Sequence, residues 1–362
     1  MKTRYLIAAW MFCLSAYPQQ RGNFTYDRIA ERHDKNGDGI VAKDEFGGNP
    51  LMFDRIDANQ DRKIDRKEFD AAIRARSNQQ RPAIAGIDGN TAPLPRKQVR
   101  SRQPPEGVTL HRDLEYAVEE GQSLKLDLYL PEKTDTPPPL MVWIHGGGWK
   151  NGDKANVNGA ILKLSSEGYA VASINYRLKD LSIHPKNIHD CKGAVRWLRA
   201  HAKEFGFDPE QVAVGGGSAG GHLSLLLGLS HGFAELEGTV GGNLDHCSAV
   251  KAIIDLYGPS DFSSFSKNSE RFNKAHEFRM EQLKHASPTT YLTKNDPPVL
   301  ILHGDQDKTV PVEQSILLDK RYKELGLESE LHILEGAGHG GVVFSDDERF
   351  KLIKAFLDRH LK

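Results

Sequence analysis

Between Val108 and the C-terminus, strand-like apolar runs alternate with longer amphipathic stretches, and this alternation restricts the fold more than any other feature of the chain. The runs are "LKLDLYL" from Leu124, "LMVWIHGGGW" from Leu140, "YAVASINYRL" from Tyr169, "QVAVGGGS" from Gln211, "VKAIIDLYG" from Val250, "PVLILHGD" from Pro298 and "LHILEGAGH" from Leu331. "NIHDCKGAVRWLRAHAKEFG", from Asn187, reads as a helix between two of them. Short runs that are apolar throughout need cover on both faces, and connecting helices supply it. The expectation is an α/β domain on a mostly parallel sheet, over residues 106–362. Such a sheet hosts unrelated chemistries, so function has to come from the motifs.

The chain has 362 residues, room for more than this one domain, with a formal net charge of -1 that argues against nucleic acid as a bulk electrostatic partner. At the N-terminus, Lys2 and Arg4 precede "YLIAAWMFCLSA", which ends in small residues. A basic start, an apolar run and a small-residue stop form a signal peptide, expected over 1–18. The run falls short of the ~20 residues a membrane-spanning helix needs. "WMFC" is too bulky before Cys13 for a lipid-attachment box. Export to the periplasm or medium would leave Cys191 and Cys247, either paired or as two buried thiols.

Residues Asp34 to Glu45, "DKNGDGIVAKDE", place oxygen-bearing side chains at positions 1, 3, 5 and 12 (Asp34, Asn36, Asp38, Glu45). Gly39 stands at position 6 and the Ile40 carbonyl at position 7, which is the EF-hand calcium loop. A second copy offers Asp57, Asn59, Asp61, the Lys63 carbonyl and Glu68, with Asp65 at position 9. Arg62 takes the glycine place there, at a cost of about 1 kcal/mol for a side chain at positive φ, so a weaker site is expected. Residues 24–75 are expected to form a small all-α EF-hand pair holding structural Ca2+, and 76–105, rich in Pro, Gly, Gln and Arg, a linker.

"VAVGGGSAGGH", from Val212, fits two chemistries. Gly215, Gly217 and Gly220 spell a dinucleotide loop, while Gly216, Ser218 and Gly220 spell the turn that exposes a nucleophilic serine. About three strands precede it, whereas a dinucleotide loop follows the first strand of its domain, and the acid in reach, Glu237, does not end a strand. The nucleophile reading asks for an acid and then a histidine, in that order, after later strands. "LILHGDQDKTVP" offers Asp307, with Asp305 as rival, and "EGAGHG" offers His339. "HGGG" at 145–148 supplies unobstructed backbone N–H groups, so Gly146, Gly147 and Ala219 are expected to form an oxyanion hole.

With these motifs in place, residues ~106–362 resemble the α/β-hydrolase superfamily, and within it the hormone-sensitive-lipase-like carboxylesterases. "HGGGWKNGDK", "NYRL", "HDCKGAVRWLRAHA" and "GGGSAGGHLSLL" are most similar to the branch of bifunctional feruloyl and acetyl-xylan esterases. The resemblance implies Ser218, Asp307 and His339 as a triad, no cofactor in the reaction, and a carboxylic ester as substrate, small or on a plant polysaccharide. A promiscuous short-chain carboxylesterase, a peptidase or formamidase with the same triad, and an inactive calcium-dependent binding protein are the alternatives. Trp149 either walls the acyl pocket or packs, Arg177 and Asp190 are expected as a buried polar contact, and the polar stretch 262–286 stands where a cap over the site would be inserted.

Overall fold

The computed structural model describes residues 103–362 apart from 133–135, 180–182 and 265–279, and in the N-terminal part residues 26, 30, 34–46, 53, 56–57, 59 and 61–71. The expected signal peptide, most of the linker and the middle of 262–286 lie outside the described residues. The chain divides into two compact units, Met1–Leu94 and Pro95–Lys362.

In the first unit, β1 (Val41–Ala42) pairs antiparallel with β2 (Lys63–Ile64), with Val41 opposite Ile64. The pairing joins the two acidic loops at equivalent positions. Tyr26, Val41, Phe53, Ile56, Ile64 and Phe69 form a small core. The Tyr26 hydroxyl reaches the Gly39 carbonyl at 2.7 Å and the Ile64 carbonyl at 3.0 Å, tying both loops to that core. Asp65 and Glu68 cap the helical stretch 66–71 reciprocally: the Glu68 N–H donates to Asp65 at 2.7 Å, and the Asp65 N–H reaches back to Glu68 at 3.4 Å.

The second unit is an eight-stranded sheet in the order β10-β9-β8-β7-β5-β6-β4-β3. Its strands are β3 (Thr109–Glu119), β4 (Gln122–Leu130), β5 (Leu140–Ile144), β6 (Ala170–Ile174), β7 (Val212–Gly217), β8 (Ala252–Leu256), β9 (Val299–Gly304) and β10 (Ser329–Leu334). All neighbours from β6 through β5 to β10 run parallel, while β3, β4 and β6 pair antiparallel. β3 is absent from the apolar runs because it is an edge strand, and of its side chains Tyr116 alone is buried.

Alternation along each central strand makes two cores. Leu140, Val142 and Ile144 of β5 face one side, with the helices Lys186–Ala200 and Ala219–Leu229. Met141 and Trp143 face the other, with Gly159–Lys163 and Asp347–Leu361. The helix Ala219–Leu229 is buried along its whole length, which is why its sequence, "AGGHLSLLLGL", lacks a charged face. Among the described residues, no helix is long and apolar enough to cross a membrane.

Arg177 and Asp190 form the expected buried contact: the guanidinium meets the carboxylate at 2.6 Å through Nη2 and 2.9 Å through Nε, and the Arg177 N–H donates at 2.8 Å. Cys191 and Cys247 are free thiols; Cys191 is buried, but Cys247 is exposed rather than buried. Removing one partner of a buried pair strands the other charge, so Asp190→Ala is expected to lower unfolding free energy by about 3 kcal/mol, moderated by Glu119 and Glu120 near Arg177. Urea unfolding measures it; a change below about 1 kcal/mol would mean that the two glutamates take over the pairing.

Candidate active site

Ser218 stands between β7 and the helix Ala219–Leu229 at φ 57, ψ -119, a strained conformation for a residue with a side chain. Hydrogen bonds on both sides hold it: its N–H donates to the Leu256 carbonyl at 2.9 Å, and its carbonyl accepts the His222 N–H at 3.0 Å. The neighbouring glycines answer to space. A Cβ on Gly220 would lie 2.0 Å from the Ile144 carbonyl oxygen, and one on Gly216 2.3 Å from the Gly220 backbone. The turn therefore closes only with glycine two residues before and two after the serine.

Three side chains from three loops meet there. His339 Nε2 lies 2.8 Å from Ser218 Oγ, and His339 Nδ1 lies 2.6 Å from Asp307 Oδ2. Asp307 follows β9 and His339 follows β10, so parallel neighbours deliver both from the same end of the sheet. Burial alone would raise the Asp307 pKa. Hydrogen bonds from His303, His339 and the Val310 and Thr309 amides outweigh it and hold the carboxyl well below the usual carboxylate range. A permanently charged Asp307 can orient a neutral His339 and stabilise it once it takes a proton. The rival Asp305 is spent elsewhere: it accepts the Gly336 N–H at 2.8 Å in an exposed turn.

The loop after β5 approaches from the other side. A Cβ on Gly146 would lie 2.6 Å from the Gly217 carbonyl oxygen and 3.4 Å from Ser218 Cβ, so this loop touches the serine turn directly. His145 Nδ1 lies 2.8 Å from the Gly146 carbonyl, its ring stacks on Tyr176 at 4.5 Å, and the Tyr176 hydroxyl donates to the His145 carbonyl at 3.0 Å. The C=O and N–H of one trans peptide point opposite ways, so tying back the Gly146 carbonyl turns the Gly147 N–H in the other direction. Ala219 opens a helix, and its N–H has no intrahelical acceptor. A cavity of ≈ 600 Å³ lies over the site, with Gly146, Gly147, Ser218, Tyr257, Thr309 and His339 in its wall.

Other residues fall into place around it. Glu237, the acid that a dinucleotide loop would need, binds buried Lys192 at 2.8 Å and Ser248 at 2.7 Å. Trp149 packs: its indole N–H donates to His222 Nδ1 at 3.2 Å, and His222 Nε2 donates to the Ala286 carbonyl at 2.7 Å. Burial pushes the His222 pKa down to about 4, so this ring stays neutral.

Two residues of the site escape sequence reasoning. His303, in β9, lies behind Asp307, with Nε2 2.9 Å from the Val310 carbonyl and 3.3 Å from Asp307 Oδ2, and Nδ1 2.7 Å from Ser315 Oγ. A carbonyl only accepts, so Nε2 carries the proton and steadies the carboxylate (the tautomer follows from these partners). Tyr257, after β8, packs edge-on against His339 with ring centroids 4.9 Å apart. The signal for His303 is a polar residue ending an apolar strand; Tyr257 has none.

Beneath the turn, Asp255 is fully buried, with one oxygen accepting the Gly258 N–H at 2.9 Å and the other, among the described residues, lacking a partner. Burial pushes its pKa up to about 7, partly opposed by His303. A raised folded-state value means that stability is intact below the unfolded value near 3.9 and is lost as pH rises through about 7. Asp255→Asn is therefore expected to be favoured over the wild type increasingly between about pH 5 and about pH 7.5 in urea unfolding. An equal difference at both pH values would contradict a proton held at Asp255.

Comparison with known proteins gives a consistent picture. The family model BD-FAE matches residues 126–322, more than half the chain, including Ser218 and Asp307 but ending before His339. Esterase LipC of Mycobacterium tuberculosis is 33% identical over 229 residues, covering 59% of this chain and 56% of its own. Probable carboxylic ester hydrolase LipM of the same organism is 30% identical over 255 residues, covering 65% and 56%. The chain thus spans about half the length of these curated relatives. Among solved structures, a truncated carbohydrate esterase from gut microbiota is 28% identical with TM-score 0.61, covering 72% of this chain and 99% of its own. A propionate-bound esterase 2 of Thermogutta terrifontis is 28% identical with TM-score 0.59, covering 71% and 97%.

Proposed function

The chain belongs to the BD-FAE family, and on that premise we propose that it hydrolyses carboxylic esters through an acyl-enzyme on Ser218. The observation that carries this reading is the continuous line Ser218 Oγ to His339 to Asp307, at 2.8 and 2.6 Å. As Ser218 Oγ attacks the ester carbonyl, His339 Nε2 takes its proton, and Asp307 stabilises the imidazolium. The carbonyl oxygen becomes an anion facing the N–H groups of Gly146, Gly147 and Ala219, donors whose individual loss typically costs roughly two to three orders of magnitude in rate. The tetrahedral intermediate collapses, the C–O bond breaks, and His339 returns the proton to the departing alcohol. Water then repeats the sequence on the acyl-enzyme, releasing acid and free serine.

The substrate we favour is an acetyl or feruloyl ester on plant polysaccharide, met outside the cell after removal of residues 1–18. The motif resemblance and the neighbour named as a carbohydrate esterase support it. A second reading, a short-chain carboxylesterase, has the propionate-bound neighbour in its favour. Hydrolysis of acetylated xylan, methyl ferulate and 4-nitrophenyl acetate separates them. Ser218→Ala is expected to lower turnover at least about a thousandfold on whichever ester is cleaved. Cleavage of the nitrophenyl ester alone favours the second reading, and undiminished activity in Ser218→Ala rules out the acyl-enzyme.

The N-terminal unit completes the proposal as an EF-hand pair. Asp34, Asn36, Asp38, Glu45 and the Ile40 carbonyl would hold calcium in the first loop, and Asp57, Asn59, Asp61, Glu68 and the Lys63 carbonyl in the second. The donor set fits a hard cation: Asp57 Oδ1 and Glu68 Oε1, the first and last positions of the second loop, are buried and, among the described residues, have no hydrogen-bond partner. Among the described residues, no three His, Cys, Asp or Glu side chains form a ready-made cage, so amide and carbonyl oxygens would be needed to complete either set. Gly39 at φ 79 and Arg62 at φ 66 occupy the equivalent bend of each loop, the second at the cost expected of a side chain there. When bound, calcium supplies the charge that lets these oxygens converge. Chelation is expected to lower the thermal stability of this unit, by about 2.7 kcal/mol of linkage if calcium had been at a hundred times Kd, while ester turnover stays intact. Turnover lost on chelation and restored by calcium would assign the metal a role in activity instead.

A further inference from the structure

Two hydroxyls of the cavity wall, on Tyr257 and Thr309, are left unused by the mechanism, and that of Tyr257 is the one held rigidly beside the catalytic turn. Tyr257 stands at φ 47, an unfavourable conformation for a bulky residue, and its N–H donates to the Leu302 carbonyl at 2.9 Å. Its ring is wedged between His339 at 4.9 Å and Phe344 at 4.6 Å, edge-on to both. This fixes the hydroxyl: a Cβ on Gly217 would lie 2.9 Å from it and one on Gly340 3.2 Å. It therefore sits between the residue before Ser218 and the residue after His339. Among the described residues, nothing hydrogen-bonds it. Two other polar side chains of the wall are committed: the Asn158 carboxamide caps the helix Gly159–Lys163 and donates to the Phe344 carbonyl, and Trp143 donates to the Asn156 carbonyl. Burial pushes the phenol up to about 12, so at neutral pH it keeps its proton.

Its side of the site determines what it meets. Gly217 presents its carbonyl to Gly146 and its Cα to the Tyr257 hydroxyl, so the phenol and the glycine loop flank the serine turn from different directions. The glycine loop faces the acyl oxygen. The phenol accompanies His339, which returns its proton to the departing alcohol. We propose that Tyr257 is a substrate-binding residue for the alcohol half of the ester, donating to an oxygen close to the ester oxygen and so selecting polyhydroxylated alcohols over plain alkyl ones. A donor buried by an alkyl group loses its contact with water and gains nothing, and that asymmetry discriminates between alcohols. This rests on the esterase reading.

The test compares 2-hydroxyethyl acetate with n-propyl acetate, which share an acyl group and nearly match in alcohol shape, on the wild type and Tyr257→Phe. The wild type is expected to favour the hydroxylated ester about tenfold in kcat/KM, the scale of one hydrogen bond in a dry site. In Tyr257→Phe the ratio should fall to within about twofold of unity. Because a ratio is read, any general loss of activity cancels. A wild type without the preference overturns the proposal whether or not the variant folds, and so does a variant that keeps it. Fluorophosphonate labelling separates the two layers: a wild type that labels at Ser218 but shows no preference sinks the tyrosine alone, whereas no labelling sinks the esterase reading with it.

Discussion

The close approach of β5 to the serine turn is the constraint on which the rest of the second unit depends. The Ile144 carbonyl leaves no room for a Cβ on Gly220 and almost none on Gly216. Packed this tightly, the end of β5 feeds its glycine loop straight onto Gly217 and Ser218. The proposed nucleophile and the proposed anion-binding N–H groups of the glycine loop thus come from two parallel neighbours in the sheet, joined by backbone rather than by side chains. Backbone contact of this kind is stiff, and stiffness is what aims donors at a charge that exists only during reaction.

Around that rigid centre, polar side chains are arranged so that each proton has one place to be. His145 ties back the Gly146 carbonyl, His222 sits between Trp149 and the Ala286 carbonyl, and His303 bridges Ser315, Val310 and Asp307. Carbonyl partners accept only, so in each of these rings the nitrogen that faces one carries a proton. His339 differs: its two partners are a hydroxyl and a carboxylate, and its ring is partly exposed at the cavity. It is the imidazole placed to pass a proton between the serine and a substrate, as the proposed chemistry requires.

The N-terminal unit is organised by another principle. Among the described residues its core is six buried side chains around a two-residue strand pair, and its loops carry carboxylates turned onto their own backbone N–H groups. A unit this size buries little apolar surface, and bound metal is a common source of the missing stability.

How much could be read from the chain alone depended on whether a residue's reason for being there was local. The parallel sheet follows from apolar runs with helices between them, and the serine turn, the acid loop and the histidine loop each carry a short pattern, so Ser218, Asp307, His339 and the glycine loop were legible. β3 was not, because an exposed edge strand has no apolar signature. The choice between Asp305 and Asp307 leaned on spacing, and only the fold turns one onto a backbone amide and the other onto His339. His303 and Tyr257 depend wholly on tertiary structure. Their partners lie on other elements or loops, and nothing in "LILHGD" or "DLYGPSD" says which way a side chain faces. By itself the sequence determined the class of fold and the chemical groups available to it, because periodicity and turn-forming residues act over a few positions. Which groups meet, and which carbonyl each buried imidazole faces, were decided by the sheet, because those are properties of distance between segments far apart in the chain.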